Sequence, residues 1–179
     1  SFQVRTFSFG SKVTDSLLFT FDEKSSHIAH FLERVQQKFA QQNLGAIILA
    51  TDELCLSFEA RKNAHAPYSK FHVGSAIKVK GHDELFPGCN VENASYGATV
   101  CAERNALMSA VARKGKIEVE YVVVACNTDP VTVPCALCLQ VLSEFSGPET
   151  PVYLGDLESV KKTVLFKELL PMPFNTLDC

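Results

Sequence analysis

Three cysteines and one glutamate constrain this chain more than anything else in it. Cys101 stands two residues before Glu103, and Cys135 and Cys138 form a C-x-x-C pair downstream. A zinc ion that activates water needs three protein ligands and an open fourth position. It also needs a carboxylate that reaches the water without ligating the metal. Cys101, Cys135 and Cys138 can be the ligands, and Glu103 the carboxylate. Residues two apart on a helix point to nearly opposite sides, so Cys101 and Glu103 cannot share a metal in mid-helix. They can share one that caps a helix start. After Cys101, an apolar stripe of Ala106, Leu107, Ala110 and Val111 predicts a helix, with Gly115 as its stop. Cys135 and Cys138 fall on one face of a second helix. Pro134 suits its start, and Leu139, Leu142 and Phe145 continue it.

Two helix N-termini would then point at the metal. Thiolates are favoured by a helix N-terminus, by a nearby arginine and by the metal itself. Three thiolates on a divalent ion leave net negative charge, which opposes the acidification of water. The helix dipoles and Arg104 are the available offsets. A C-x-x-C pair also occurs in closed structural zinc sites and in redox pairs. The first wants four ligands, and no second C-x-x-C or H-x-x-x-H is present. The second wants a thioredoxin-like placement after a first strand, which is not evident.

Five blocks in order make the chain resemble the cytidine deaminases of the small, all-cysteine zinc type. They are Ala66 to Gly74 (APYSKFHVG), Gly88 to Tyr96 (GCNVENASY), Cys101 to Arg104, Pro134 to Gln140, and Glu168 to Phe174 (ELLPMPF). The likeness runs from about Ala60 to Phe174. It implies one Zn2+ per subunit on Cys101, Cys135 and Cys138, with Glu103 catalytic and Arg104 in charge compensation. It implies that Asn90 and Glu92 bind the ribose hydroxyls, with Asn93 and Tyr96 supporting that loop. Phe71 would pack beside the base, and the Ala102 backbone N–H would meet the base carbonyl. It further implies a homotetramer in which Phe174 is donated to a neighbouring site. The physics of the sugar residues agrees, since an amide and a carboxylate can accept from vicinal hydroxyls. Taken in isolation, Glu92 reads as a solvated surface charge and Phe71 as core. One departure stands in the second cysteine block, where the family pattern has glycine and arginine and this chain has Ala136 and Leu139. The lost arginine puts more of the compensation on Arg104, and Leu139→Arg is expected to be tolerated.

The implied reaction is hydrolytic deamination of cytidine and deoxycytidine to uridine and deoxyuridine with release of ammonia, a step of pyrimidine salvage. Zinc lowers the pKa of water, and Glu103 moves the protons. Two other readings stay open: a deaminase of another cytosine-bearing nucleoside such as a nucleoside antibiotic, and a catalytically silent zinc protein. A net charge of −3 over 179 residues argues against nucleic acid as partner, because phosphate contacts need clustered Lys and Arg. No run approaches the eighteen or so apolar residues of a membrane span. With three of seven cysteines assigned, Cys55, Cys89, Cys126 and Cys179 show no disulfide framework, so a reducing, cytoplasmic setting is expected. Cys89 and Cys126 lie in strand-like runs as apolar fillers. His65 and His72 read as hydrogen-bonded structural residues.

The remaining expectations concern organisation. Residues 1–45 form an N-terminal extension of unknown role, and 46–179 the deaminase domain. The chain opens on Ser1 rather than Met, so a removed N-terminal piece is possible in principle. Asp15, Asp22 and Glu23 count against a transit peptide. Phe7, Phe9, Phe19 and Phe21 alternate as in paired strands. A helix is expected from Ser25 or Ser26 to about Gln42, and another from Asp52 to Ala64, capped by Thr51. His72–Val79 and Leu85–Val91 read as a hairpin about the Gly81 turn. Tyr121–Cys126 is a continuous apolar run, hence a buried central strand, and Pro151–Leu154 a short one. Alternating strands and helices predict a three-layer α/β/α sandwich with a mixed β-sheet.

Overall fold

The computed structural model describes residues 2–8 and 16–22 by their backbone, and residues 54–174 in full. The helix expected between Ser25 and Gln42 lies outside the described residues, as do the Thr51 cap and Cys179. The chain divides into two compact units, Ser1–Gln42 and Asn43–Cys179. In the first, β1 (Phe2–Ser8) pairs antiparallel with β2 (Ser16–Asp22), in a register that sets Phe7 opposite Leu17 and Gln3 opposite Phe21. The expected strand pairing is present there.

The second unit is built on five strands: β3 (Val73–Val79), β4 (Leu85–Cys89), β5 (Val119–Cys126), β6 (Pro151–Gly155) and β7 (Val160–Leu165). Their order is β4-β3-β5-β6-β7. Only β5 and β6 run parallel; the other neighbours are antiparallel, so the sheet is mixed. The apolar run at residues 119–126 is the central strand because it has sheet on both sides. Val122, Val123, Val124 and Ala125 are all buried, as a strand covered on both faces requires. The edge strand β7 carries exposed Lys161 and Lys162, charges that discourage further pairing. That polar content also hid it: no strand was expected at residues 160–163.

Helices cover both faces. α1 spans residues 54–62, two residues short of the expected end at Ala64. α2 is Ala102–Lys114, α3 Ala136–Ser143 and α4 the single turn Phe166–Leu169. Ser75 of β3 pairs with Gly88 of β4, so both point to one face and Gly74 to the other. A Cβ on Gly88 would strike the backbone of Ala102 and Ala106, whereas one on Gly74 would strike Ser57 of α1. The sheet therefore lies between α1 and α2, and the three-layer expectation holds. Ala102, Ala106 and Ala110 recur every fourth residue along α2 and are fully buried. Small side chains at that spacing let the helix backbone settle close to the sheet. Gly115 ends α2 with a left-handed φ of 74°, a conformation that glycine adopts without steric cost. The core between these layers holds Phe86, Ile77, Leu107, Leu142 and Leu154, each at most 1% exposed. Each such side chain contributes roughly 1.5–3 kcal/mol by burial.

Candidate active site

Cys101 and Cys135 are the N-cap residues of α2 and α3. Both hold extended backbone angles, φ −73° and ψ 159° for the first, φ −71° and ψ 164° for the second. Glu103 and Cys138 follow in the first turns. The two helix starts thus converge as their sequences require, and the three sulfurs lie within 4.8 Å of one another. Cys101 Sγ is 3.8 Å from Cys135 Sγ, and Cys135 Sγ is 3.5 Å from Cys138 Sγ. Tetrahedral zinc with Zn–S bonds of about 2.3 Å separates its sulfurs by about 3.8 Å. The thiol triangle therefore fits zinc in size and in donor chemistry. Cys138 is wholly buried and Cys135 exposed, so one side of the triangle faces solvent. Among the described residues no other group of three or more His, Cys, Asp or Glu gathers in this way.

Electrostatics distinguish the members. Glu103 is 4% exposed, and burial pushes its carboxyl above the ordinary carboxylate range, with the neighbouring Cys101 adding to the effect. Cys138 Sγ lies 3.7 Å from Glu103 Oε2 and donates to it. The Cys101 thiol is drawn down to about 5, first by the hydrogen bond from Cys138, then by those from Arg104 and Cys135. Cys138 is pushed up by the same bond to Cys101 and by burial. Arg104 Nη2 donates to the Cys101 sulfur at 3.5 Å and to the Thr99 carbonyl at 3.0 Å. Its Nε is buried without a partner among the described residues.

Leu139 is 6% exposed and belongs to the apolar core, next in sequence to Cys138. Leu139→Arg is expected to be tolerated where its guanidinium reaches the cysteine sulfurs, and zinc content with a urea midpoint checks it.

A cavity of about 380 Å³ is lined by Tyr68, Ser69, Glu92, Tyr96 and Thr99. Thr99 links it to the cysteines through Arg104, which bonds both. Tyr68 and Tyr96 meet edge to face, with ring centroids 5.7 Å apart. Glu92, which by itself reads as a surface charge, is fixed by the Tyr68–Ser69 turn and presents its carboxylate to this cavity. Asn93 accepts the Ser95 N–H at 2.8 Å and so shapes the same loop. Asn90 is buried, and its amide serves the chain itself: Oδ1 accepts the Val73 N–H and Nδ2 donates to the Phe71 carbonyl, both at 2.8 Å. Phe71 is exposed two residues before β3 rather than in the core. Ala102, the first residue of α2, has a backbone N–H with no intrahelical acceptor. Neither histidine joins the cysteine cluster: the His65 backbone pairs with Asn90 and Glu92, and His72 Nδ1 contacts the Lys70 carbonyl at 3.0 Å. Cys126 is buried as expected; Cys89 is half-buried.

Two residues of the matching blocks were given no role by the sequence. Ser69 bonds Glu92, 23 residues away. Gln140 grips the backbone of Phe174, with Nε2 donating to its carbonyl at 2.8 Å and Oε1 accepting its N–H at 3.2 Å. The carboxy-terminal segment is thereby pinned to α3 while Phe174 remains 63% exposed. Both contacts are long-range, and no local pattern announces them.

The family model for the cytidine and deoxycytidylate deaminase zinc-binding region matches residues 52–154. A protein of Halalkalibacterium halodurans described as cytidine deaminase is 40% identical over 122 residues, covering 68% of this chain and 91% of that one. The crystal structure of a cytidine deaminase from Burkholderia pseudomallei superposes with a TM-score of 0.63 at 37% identity, over 69% of this chain and 97% of that chain. One from Mycobacterium tuberculosis gives 0.60 at 30% identity, over 70% and 96%. Sequence, fold and the cysteine triangle at two helix starts agree, and this chain belongs to the cytidine deaminase family, with its zinc-binding domain.

Proposed function

We propose that the chain catalyses hydrolytic deamination of cytidine and deoxycytidine, yielding uridine or deoxyuridine and ammonia. The observation that carries this reading is a buried carboxyl, Glu103, set 3.7 Å from one thiol of a zinc-sized cysteine triangle. Cys101, Cys135 and Cys138 would hold one zinc per subunit. When bound, zinc supplies a water acidified enough to act as nucleophile near neutral pH. Glu103 would take one proton from the attacking water as its oxygen bonds C4 and pass it to the adjacent ring nitrogen; it would then carry the remaining proton from the C4 hydroxyl to the amino group as the C4–N bond breaks and ammonia leaves. Burial raises the Glu103 carboxyl above the ordinary carboxylate range, the direction that favours returning a proton once it has been taken. Arg104 and the two helix N-termini steady the thiolate charge. Asn90 and Glu92 take the sugar hydroxyls, Asn93 and Tyr96 support that loop, Phe71 flanks the base, and the Ala102 N–H meets the base carbonyl.

The same reading places the enzyme in pyrimidine salvage, in the cytoplasm, with residues 1–45 as an extension to a deaminase domain of 46–179. Net charge of −3 favours a free nucleoside over nucleic acid. No helix among the described residues is long and apolar enough to cross a membrane. Loss of cytidine absorbance on adding the protein tests the activity. Removing metal with a chelator is expected to abolish it, and zinc alone to restore it. Activity that survives complete loss of zinc would overturn the metal assignment.

In the proposed homotetramer, Phe174 reaches a neighbour's base pocket. Its exposure, with its backbone clamped by Gln140, supports a ring presented outward. Phe174→Ala should chiefly raise KM, by the roughly 0.5–1.5 kcal/mol that stacking adds beyond area burial. Mixing settles the geometry. Glu103→Ala subunits keep Phe174, and Phe174→Ala subunits keep Glu103. Reassembled together, they should form some complete sites with better cytidine affinity than the Phe174→Ala parent. A plain average of the two parents would show that Phe174 acts within its own chain.

A further inference from the structure

Glu92 is tied down more firmly than a partly exposed carboxylate needs to be. Its Oε2 accepts two backbone N–H groups, from Tyr68 at 2.9 Å and Ser69 at 3.2 Å. Its Oε1 accepts the Ser69 hydroxyl. That hydroxyl oxygen in turn accepts the Phe71 N–H at 3.0 Å, so its rotor is oriented and its proton points at Glu92. The turn behind it is closed by the Lys70 N–H on the Ala66 carbonyl at 3.1 Å, with Lys70 in the left-handed region at φ 58°. A carboxylate offers about four lone-pair positions. Three are filled by the chain. The fourth, on Oε1, belongs to a carboxylate that lines the cavity. Asn90 is 8% exposed and each of its polar atoms already holds one bond to the chain, so the free Glu92 position is the more accessible acceptor.

We infer that Ser69 is a specificity-determining positioning residue: by filling one lone pair of Glu92 Oε1 it leaves a single acceptor, so that one sugar hydroxyl of the nucleoside is read and the other is not. This rests on the reading of Glu92 as the sugar-side carboxylate. The Ser69 hydroxyl bond is also the largest cause holding the Glu92 carboxyl below its ordinary range, which keeps it an acceptor across neutral pH. A site built to bond a substrate hydroxyl rejects the analogue without it, because the polar group is then left unpaired.

The test compares kcat/KM for cytidine, 2′-deoxycytidine, 3′-deoxycytidine and 2′,3′-dideoxycytidine in the zinc-loaded enzyme. One monodeoxy substrate should match cytidine. The other should fall to the dideoxy level, about 10- to 100-fold lower, as expected for a hydrogen bond to a charged group. Ser69→Ala should shrink that gap at least about threefold through KM more than kcat, and Ser69→Thr, which keeps the hydroxyl, should restore it. Glu92→Gln separates the two levels of the inference. If it leaves the wild-type gap intact, the reading of Glu92 fails. If it collapses the gap while Ser69→Ala does not, Glu92 stands and the role of Ser69 is overturned. Equal losses on removing either hydroxyl overturn the single-acceptor inference, as does a Ser69→Thr variant as impaired as Ser69→Ala.

Discussion

Glu103→Ala keeps its fold and its zinc and loses several orders of magnitude in turnover of cytidine. The loss exceeds the ~10²–10⁴ usual for one acid–base group, because a single residue makes every proton transfer in the proposed reaction. Retention of the fold follows from burial. Glu103 is 4% exposed and burial raises its pKa, so the site bears a desolvation cost that the substitution removes. Retention of zinc follows from the three sulfurs, which gather without the carboxylate as a ligand. The measurement is single-turnover kinetics beside metal analysis of the same sample. Near-normal turnover in the zinc-loaded variant would sink the assignment. A variant that is inactive because it has lost zinc would instead move Glu103 from proton carrier to metal support.

What could be read from sequence here was chemistry fixed by short spacing. Cys101 with Glu103, and Cys135 with Cys138, each lie within one turn of a helix start, so their convergence follows from local geometry. The stop at Gly115 and the central place of β5 were equally local, one a left-handed cap and the other an unbroken apolar run. The pattern failed where tertiary context decides. β7 carries Lys161 and Lys162 because it is an edge, and edge strands lose the alternation that would reveal them. Val91 was expected to extend β4, but its backbone bridges His65 and Val100 instead, drawing the Glu92 loop toward the start of α2. Glu92 itself shows the same limit: its partners come from a turn 23 and 24 residues earlier. Leu139, by contrast, was legible locally, since the stripe it shares with Leu142 and Phe145 is the face that α3 turns to the core.

Gly88 joins the fold to the site, and Gly88→Ala should damage both. A Cβ there would sit 2.4 Å from the Ala102 carbonyl oxygen, 2.4 Å from the Ala106 nitrogen and 2.9 Å from the Ala106 Cα. All three are backbone atoms of α2, so no side-chain rotation relieves the contact. Either β4 or the first turns of α2 must move. The helix cannot yield by a small local adjustment, since Ala102, Ala106 and Ala110 are wholly buried along the same side. Asn105 also ties it to β4 through a 2.7 Å bond to the Cys89 carbonyl. Overpacking of this kind typically costs about 1–3 kcal/mol, occasionally more, and the backbone-only clash puts Gly88→Ala at the upper end. The catalytic loss should be larger than the stability loss suggests. Cys101 and Glu103 ride on the displaced turn, and a misplacement of about 1 Å can cost ~10²-fold in rate. Gly97→Ala is the matched control, because a Cβ at Gly97 meets nothing within 4 Å. Urea midpoints should fall clearly for Gly88→Ala and stay near wild type for Gly97→Ala, with cytidine turnover following the same order. If the two variants behave alike, the close approach of β4 to the start of α2 does not set the position of the catalytic turn.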